Sequence, residues 1–215
     1  MSEGSETVQL RLNALLAEAG LDPLDSEPCA RFDAYLSLLI HWNARINLTS
    51  IRDKEGILSR HFVESIACAR ALPAGIATLL DFGSGAGFPG IPISLCRPEI
   101  AVTLAESQGK KAAFLQEATR TLGISANIHA GRAEALHVAF DCVTLRAVDK
   151  MQHAVQSAAQ LVRPGGWLVL MTTDAALADL QETAGAAYHW RKVAPMPGSG
   201  DRAIGLGERK ISLPA

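Results

Sequence analysis

Long apolar runs are missing from this chain of 215 residues: none approaches the roughly 18 residues needed to cross a bilayer as a helix, so no membrane span is expected. The opening Met1-Ser2-Glu3-Gly4-Ser5-Glu6 lacks both the cationic start and the apolar stretch of a secretory signal, and the sequence therefore places the protein in the cytoplasm. Cysteine is scarce. Cys29, Cys68, Cys96 and Cys142 lie far apart without a C-x-x-C pair, which argues against a disulfide framework and leaves reduced, mostly buried thiols; no metal site is expected. Surplus positive charge is missing too. With 20 Lys and Arg against 22 Asp and Glu, the formal net charge is −2, so contact with nucleic acid has to come from local basic patches rather than a global field. Aromatic residues make up only 5 %, against 48 % apolar residues overall. A globular chain of this length buries roughly 70 % of its unfolded surface, enough for a sizeable core.

What is present divides near residue 74. Residues 1–73 read as a helical segment. Val8, Leu12, Leu15, Leu16 and Ala19 share one helix face before Gly20; Phe32, Tyr35, Leu36 and Leu39 mark a second helix from about Pro28 to Asn43; a third region runs from about Lys54 to Leu72. Asn47-Leu48-Thr49-Ser50 reads as a turn whose polar side chains bond their own backbone. Residues 74–215 alternate short apolar runs with amphipathic helices, the pattern of a doubly wound parallel α/β sheet. Expected strands are Ala77 to Asp81, Ile100 to Ala105, Ala126 to His129, Phe140 to Leu145 and Gly166 to Thr172, with helix faces at Phe114, Leu115, Ala118 and Leu122 and at Met151, Val155, Ala158 and Val162. Tyr188 to Ala194 and Ala203 to Leu206 form a candidate closing hairpin, the second strand weakened by its glycines.

The most informative stretch is Asp81-Phe82-Gly83-Ser84-Gly85-Ala86-Gly87-Phe88 at the end of the first strand. Alternate glycines permit positive φ and bring bare amides close to a ligand. A dinucleotide fingerprint needs glycine five positions after the first, and here that position is Phe88. An acid two residues before G-x-G-x-G instead fits the S-adenosylmethionine (AdoMet) loop of a Rossmann-like, class I methyltransferase; a tight turn in another doubly wound protein, or a nicotinamide or flavin enzyme, is the alternative. Gly83, Ser84, Gly85, Gly87 and Phe88 are then candidates for the methionine and ribose portion. Glu106 ends the second strand, where a carboxylate accepts from both ribose hydroxyls, and Ala133 and Glu134 follow the third, where an amide and an acid read adenine. The bland readings are a solvated acid at a strand end and an ordinary helix start.

Arg146 closes the fourth strand, at the edge where open sheets place ligands, and is the leading catalytic candidate; the alternative is an arginine paired with Asp149. Leu145-Arg146-Ala147-Val148-Asp149 lacks the Asn-Pro-Pro-aromatic signature of exocyclic-amine methylation, and no cysteine nucleophile follows the strand. An acceptor that is already nucleophilic, such as guanine N7, remains. It needs alignment rather than a base.

Several segments together resemble a known family. These are Trp42-Asn43-Ala44-Arg45-Ile46-Asn47-Leu48-Thr49, Arg60-His61-Phe62-Val63-Glu64-Ser65, Gly83 through Pro92 with its Phe88-Pro89-Gly90-Ile91-Pro92 extension, Glu106-Ser107 with Lys110-Lys111, Arg132-Ala133-Glu134 and Arg146-Ala147-Val148. Over about residues 30 to 172 the chain resembles the bacterial small-subunit ribosomal RNA guanine-N7 methyltransferases, also called glucose-inhibited division protein B. The resemblance implies AdoMet contacts at Gly83, Phe88, Ala133, Glu134 and Arg146, and a guanine of 16S rRNA as acceptor, alone or within a ribosomal particle. Arg45, Arg52, Lys54, Arg60, His61, Lys110, Lys111 and Arg202 become candidates for RNA contact, each with packing or solvated charge as the alternative. The protein is expected to act as a monomer. A small-molecule methyltransferase and a non-catalytic AdoMet or RNA binder are the competing functions. Two departures stand out: Met171-Thr172-Thr173 replaces the family's Lys-Gly, and glycines interrupt Arg202 to Lys210.

Overall fold

The computed structural model describes residues 3–192 and 200–211. Helix α1 (Glu3–Glu18) ends at Gly20, whose φ of +67° only glycine adopts without strain. Helix α2 (Ser26–Asn43) begins two residues ahead of the expected Pro28; the proline sits in the first turn, where its missing N–H has no helical acceptor to lose. The third helical region is a composite. Asp53 caps α3 (Lys54–Gly56), its Oδ1 accepting from Gly56 N at 2.7 Å; the helix then widens into a π segment (Ile57–Val63) and continues as α4 (Glu64–Ala71).

Seven strands follow: β1 (Thr78–Phe82), β2 (Ala101–Ala105), β3 (Ala126–His129), β4 (Phe140–Arg146), β5 (Val162–Thr173), β6 (Tyr188–Lys192) and β7 (Arg202–Arg209). They form one sheet in the order β3-β2-β1-β4-β5-β7-β6, the first five parallel and β7 antiparallel between β5 and β6. This is the expected doubly wound α/β architecture. The chain reverses its direction of winding between β1 and β4, and the crevice beyond the carboxyl ends of those two strands is where such sheets accept ligands.

Alternation along the strands fills two cores. Leu79, Val102, Leu104, Cys142, Val169, Met171, Ile204 and Leu206 face one layer, made of α1, α2, the π segment, α4, α5 (Gly90–Cys96) and α6 (Gly109–Leu122). Leu80, Phe82, Val143, Leu145, Leu168, Leu170 and Ala203 face the other, made of α7 (Met151–Gln160) and α8 (Asp174–Ala184). The helical segment thus shares a continuous core with the sheet.

Two local expectations change. Val162 belongs to β5 rather than to the helix before it, pairing with Phe140, and Arg163-Pro164-Gly165-Gly166 is a bulge before the register resumes at Cys142 and Trp167. The glycines of β7 do not weaken it. A Cβ on Gly205 would lie 2.6 Å from Leu177 Cδ1 and one on Gly207 2.8 Å from the Trp190 ring, so these glycines admit α8 and the neighbouring strand. Thr173, in the stretch that replaces the family's Lys-Gly, caps α8 by accepting from Ala176 N at 3.3 Å. The expected strand Tyr188 to Ala194 is observed to Lys192; Val193 and Ala194 lie outside the described residues.

Candidate active site

A cleft of about 710 Å³ opens at the β1/β4 switch, within the size range of a small-molecule site. Gly83, Ser84, Gly85 and Phe88 from the glycine loop border it, with Glu106, Lys111, Ala133, Glu134, Arg146 and His61. Gly83 and Gly85 hold φ of +71° and +57°. A Cβ on Gly83 would press Val148 at 3.2 Å, whereas one on Gly85 would meet only the Gly83 carbonyl, at 3.9 Å, so the space beside Gly85 is open. Glu106 ties this loop to the next one. Its Oε2 accepts from Gly85 N at 2.9 Å and its Oε1 from Gln108 N at 2.7 Å. A carboxylate offers about four acceptor positions, so two remain for a ligand's hydroxyls. Those free acceptor positions, the glycine backbone and the cleft volume fit a nucleoside with a vicinal diol, such as AdoMet. Ala133 and Glu134 stand on a 3-10 turn (Ala133–Ala135) across from the glycine loop, Ala133 buried and Glu134 exposed.

Two residues of the glycine motif serve the scaffold. Asp81 is buried and accepts from Gly90 N at 3.1 Å and from Thr144 Oγ1 at 3.0 Å, fixing the start of α5 and the neighbouring strand; burial pushes its carboxyl up to about 6. Gly87, expected at the cofactor, does not border the cleft: a Cβ there would lie 2.5 Å from Ile91 Cδ1 and 2.9 Å from the Tyr35 hydroxyl. Tyr35 itself donates to Ala86 O at 2.5 Å, stacks on Phe62 and meets Phe88 at a tilt, backing the loop from the helical segment.

Arg146 borders the cleft but turns much of its guanidinium into the protein. Nη2 meets Glu64 Oε2 at 2.6 Å, Arg60 O at 2.7 Å and His61 Nδ1 at 3.2 Å, Nη1 donates to Ser65 Oγ at 3.2 Å, and the Phe88 ring lies 5.8 Å away. Its partner is therefore Glu64, not Asp149. Because Arg146 is only a donor, His61 Nδ1 accepts and Nε2–H donates to Thr49 Oγ1, at 2.7 Å. His61 also stacks on Phe88 with centroids 4.6 Å apart. Burial, with Arg146, Arg202 and Arg60 nearby, holds its pKa down at about 3. Both nitrogens are engaged, so the ring is a neutral wall and not a general base.

The family described as rRNA small subunit methyltransferase G (GidB) matches residues 28–196. The chain belongs to this family. A Stenotrophomonas maltophilia ribosomal RNA small subunit methyltransferase G is 40 % identical over 204 residues, covering 92 % of this chain and 93 % of its own length. One from Xanthomonas campestris pv. campestris is 42 % identical over 151 residues, 69 % of this chain and 70 % of its own. Among solved structures, a methyltransferase from Pyrococcus furiosus superposes with a TM-score of 0.61 at 14 % identity, covering 84 % of this chain and 98 % of that one. A T. thermophilus 16S rRNA methyltransferase in complex with AdoMet and guanosine gives 0.53 at 18 % identity, covering 72 % and 40 %. At these identities the likeness establishes the class I methyltransferase fold.

Of the basic residues singled out from the family pattern, Lys111 and His61 reach the cleft. Arg45, Arg52, Lys54, Arg60 and Lys110 are exposed outside its lining, Arg52 bonding Asn47 Oδ1 at 2.9 Å. Arg202 is half-buried, with Nε 3.5 Å from Glu64 Oε1. Sequence reasoning missed Glu64, Tyr35 and the stretch Leu48-Thr49-Ser50 as cleft-building residues. Glu64 carried a signal: an acid inside the run Phe62-Val63-Glu64-Ser65-Ile66, otherwise buried, needs a partner.

Proposed function

We propose that this protein transfers the methyl group of AdoMet to N7 of a guanine in 16S small-subunit rRNA, acting as a cytoplasmic monomer. The observation that carries the reading is the bare Gly83–Gly85 backbone held against the Glu106 carboxylate at the switch point, in a member of the rRNA small subunit methyltransferase G family. When bound, AdoMet supplies a methyl carbon activated by its sulfonium. Gly83, Ser84, Gly85 and Phe88 would hold the methionine and ribose portion, Glu106 the ribose hydroxyls, Ala133 with Glu134 the adenine, and Arg146 would orient the cofactor or the guanine. Residues 74–215 form the AdoMet domain in this reading. Residues 1–73 supply the RNA side, since Leu48, Thr49, Ser50 and His61 border the same cleft.

The chemistry asks little of the side chains. The N7 lone pair forms the new C–N bond as the C–S pair stays with sulfur, and no proton has to leave. Orientation alone contributes up to roughly 7–11 kcal/mol in well-aligned cases. His61, with both nitrogens engaged, and the absence of any cysteine from the cleft lining among the described residues agree with such an acceptor. Lys111 at the cleft, and Arg45, Arg52, Lys54, Arg60, Lys110 and Arg202 around it, would meet phosphates. Labelled methyl transfer from AdoMet to naked 16S rRNA and to small-subunit particles, followed by chemical cleavage at 7-methylguanosine, tests the assignment. Label incorporated without N7 cleavage would reject the acceptor atom.

A further inference from the structure

Glu64 lies outside the cleft lining yet is the most deeply buried acid in the helical segment, at 1 % exposure. One oxygen bonds Arg146 at 2.6 Å; the other, and the Arg202 Nε that faces it at 3.5 Å, have no hydrogen-bond partner among the described residues. Two guanidiniums therefore share one carboxylate behind the cleft wall. Arg146 stands at the end of β4 beside His61 and Phe88, across β1 from the Glu106 and Ala133–Glu134 loops assigned to the ribose hydroxyls and adenine. Transfer to N7 moves positive charge from sulfur onto the purine. A bare arginine on the purine's side opposes that movement, and a buried carboxylate against it, shared with Arg202, offsets part of the opposition.

We infer that Glu64 is a positioning residue of the transfer reaction, fixing the Arg146 guanidinium and offsetting part of its charge where the guanine becomes cationic. The inference rests on the function proposed above. Glu64 reaches the cleft wall through Arg146, so the effects of substitutions at the two positions on the transfer rate must be coupled rather than additive.

The test is a double-mutant cycle of full-length Glu64→Gln, Arg146→Met and the double variant. It reads single-turnover transfer to small-subunit particles, AdoMet affinity by calorimetry, and urea unfolding without AdoMet. Glu64→Gln is expected to slow transfer by about thirtyfold or more while AdoMet affinity stays within about threefold. In the Arg146→Met background the same change should cost less than about threefold in rate, and its cost in the urea midpoint should shrink likewise. Independent, multiplicative losses, or a Glu64→Gln rate within about threefold of wild type, would overturn the inference. Should Glu64→Gln not fold, Glu64→Asp keeps the charge but is one methylene short. It is expected to bind AdoMet normally and transfer slowly, and wild-type turnover in it would also overturn the role. Wild-type protein that transfers no methyl to rRNA refutes the underlying function instead, a result the cycle distinguishes at its first corner.

Discussion

Replacing Glu106 by glutamine is the sharpest probe of the cofactor side, because the structure makes the usual conservative change a poor one. Both carboxylate oxygens accept from backbone N–H groups, Gly85 at 2.9 Å and Gln108 at 2.7 Å. Glutamine has one oxygen and one NH₂, so whichever way the amide is turned, one of those N–H groups loses its acceptor and faces another donor. Leaving such a group unpaired costs about 1–3 kcal/mol, and a ribose hydroxyl bonded to the lost oxygen forfeits about 1.5–3 kcal/mol more. Part of the first cost falls on folding and the second on binding. The AdoMet dissociation constant should rise by about 10–100-fold. Alanine removes the oxygens but opens the position to cleft water, so Glu106→Ala should bind no worse than Glu106→Gln. Isothermal calorimetry on both variants, with thermal unfolding as the control for the loop, reads the difference. Glutamine within about threefold of wild type would show that this carboxylate does not hold the ribose.

Asp81 sets a pH dependence. Its folded carboxyl, near 6, lies above the ordinary 3.8, so the native state binds the extra proton; that contribution is complete below about 4 and is lost as pH rises through 6, to about 2–4 kcal/mol. Asp81→Asn, able to accept from Gly90 and donate to Thr144, should therefore gain stability over wild type between pH 4 and 7 in thermal unfolding; a difference that stays flat would refute the assignment. His61 tends the opposite way, stabilising above its ordinary 6.5 and less as pH falls towards 3, but it is common to both proteins and cancels in the comparison. Tyr35→Phe strands the buried Ala86 carbonyl, and urea unfolding should show a loss of about 1–3 kcal/mol together with weaker AdoMet binding. Gly90→Ala places a methyl 2.3 Å from Leu104 Cδ2 and 2.7 Å from Asp81 Oδ2, and should cost about 1–3 kcal/mol or more. Gly109→Ala, with no heavy atom within 4 Å, should instead stabilise by up to about 1 kcal/mol, and equal effects at the two glycines would refute the packing argument.

The sheet was legible because β1, β2 and β4 carry short apolar runs closed by a polar or glycine break, and Gly83 and Gly85 announced their positive φ by their spacing. What the sequence concealed was pairing across distance. Asp81 looked like part of a ligand pattern, yet its oxygens are used by Gly90 and Thr144. Arg146 was placed on the right edge, but its partner Glu64 is 82 positions away and no local spacing connects them. The glycines of β7 were read as weakness because a strand interior usually wants side chains; the close approach of Leu177 and Trp190 that requires them is a tertiary fact.

The same long-range contacts determine whether the sheet half can stand alone. Tyr35 holds the Ala86 carbonyl, Glu64 holds Arg146, and His61 stacks on Phe88; each joins residues before 74 to the cleft. Beneath them, Leu79, Val102, Leu104, Phe114 and Met171 belong to one core with Leu12, Phe32, Leu36 and Phe62. A fragment of residues 74–215 would bare that whole face. It would also leave Arg146 without its counter-charge, a loss of about 3–5 kcal/mol by itself and a large part of a typical domain's stability. The fragment should therefore lack a cooperative urea transition and bind no AdoMet. A fragment that unfolds cooperatively and binds AdoMet like the full chain would mean that the glycine loop needs no support from the helical segment.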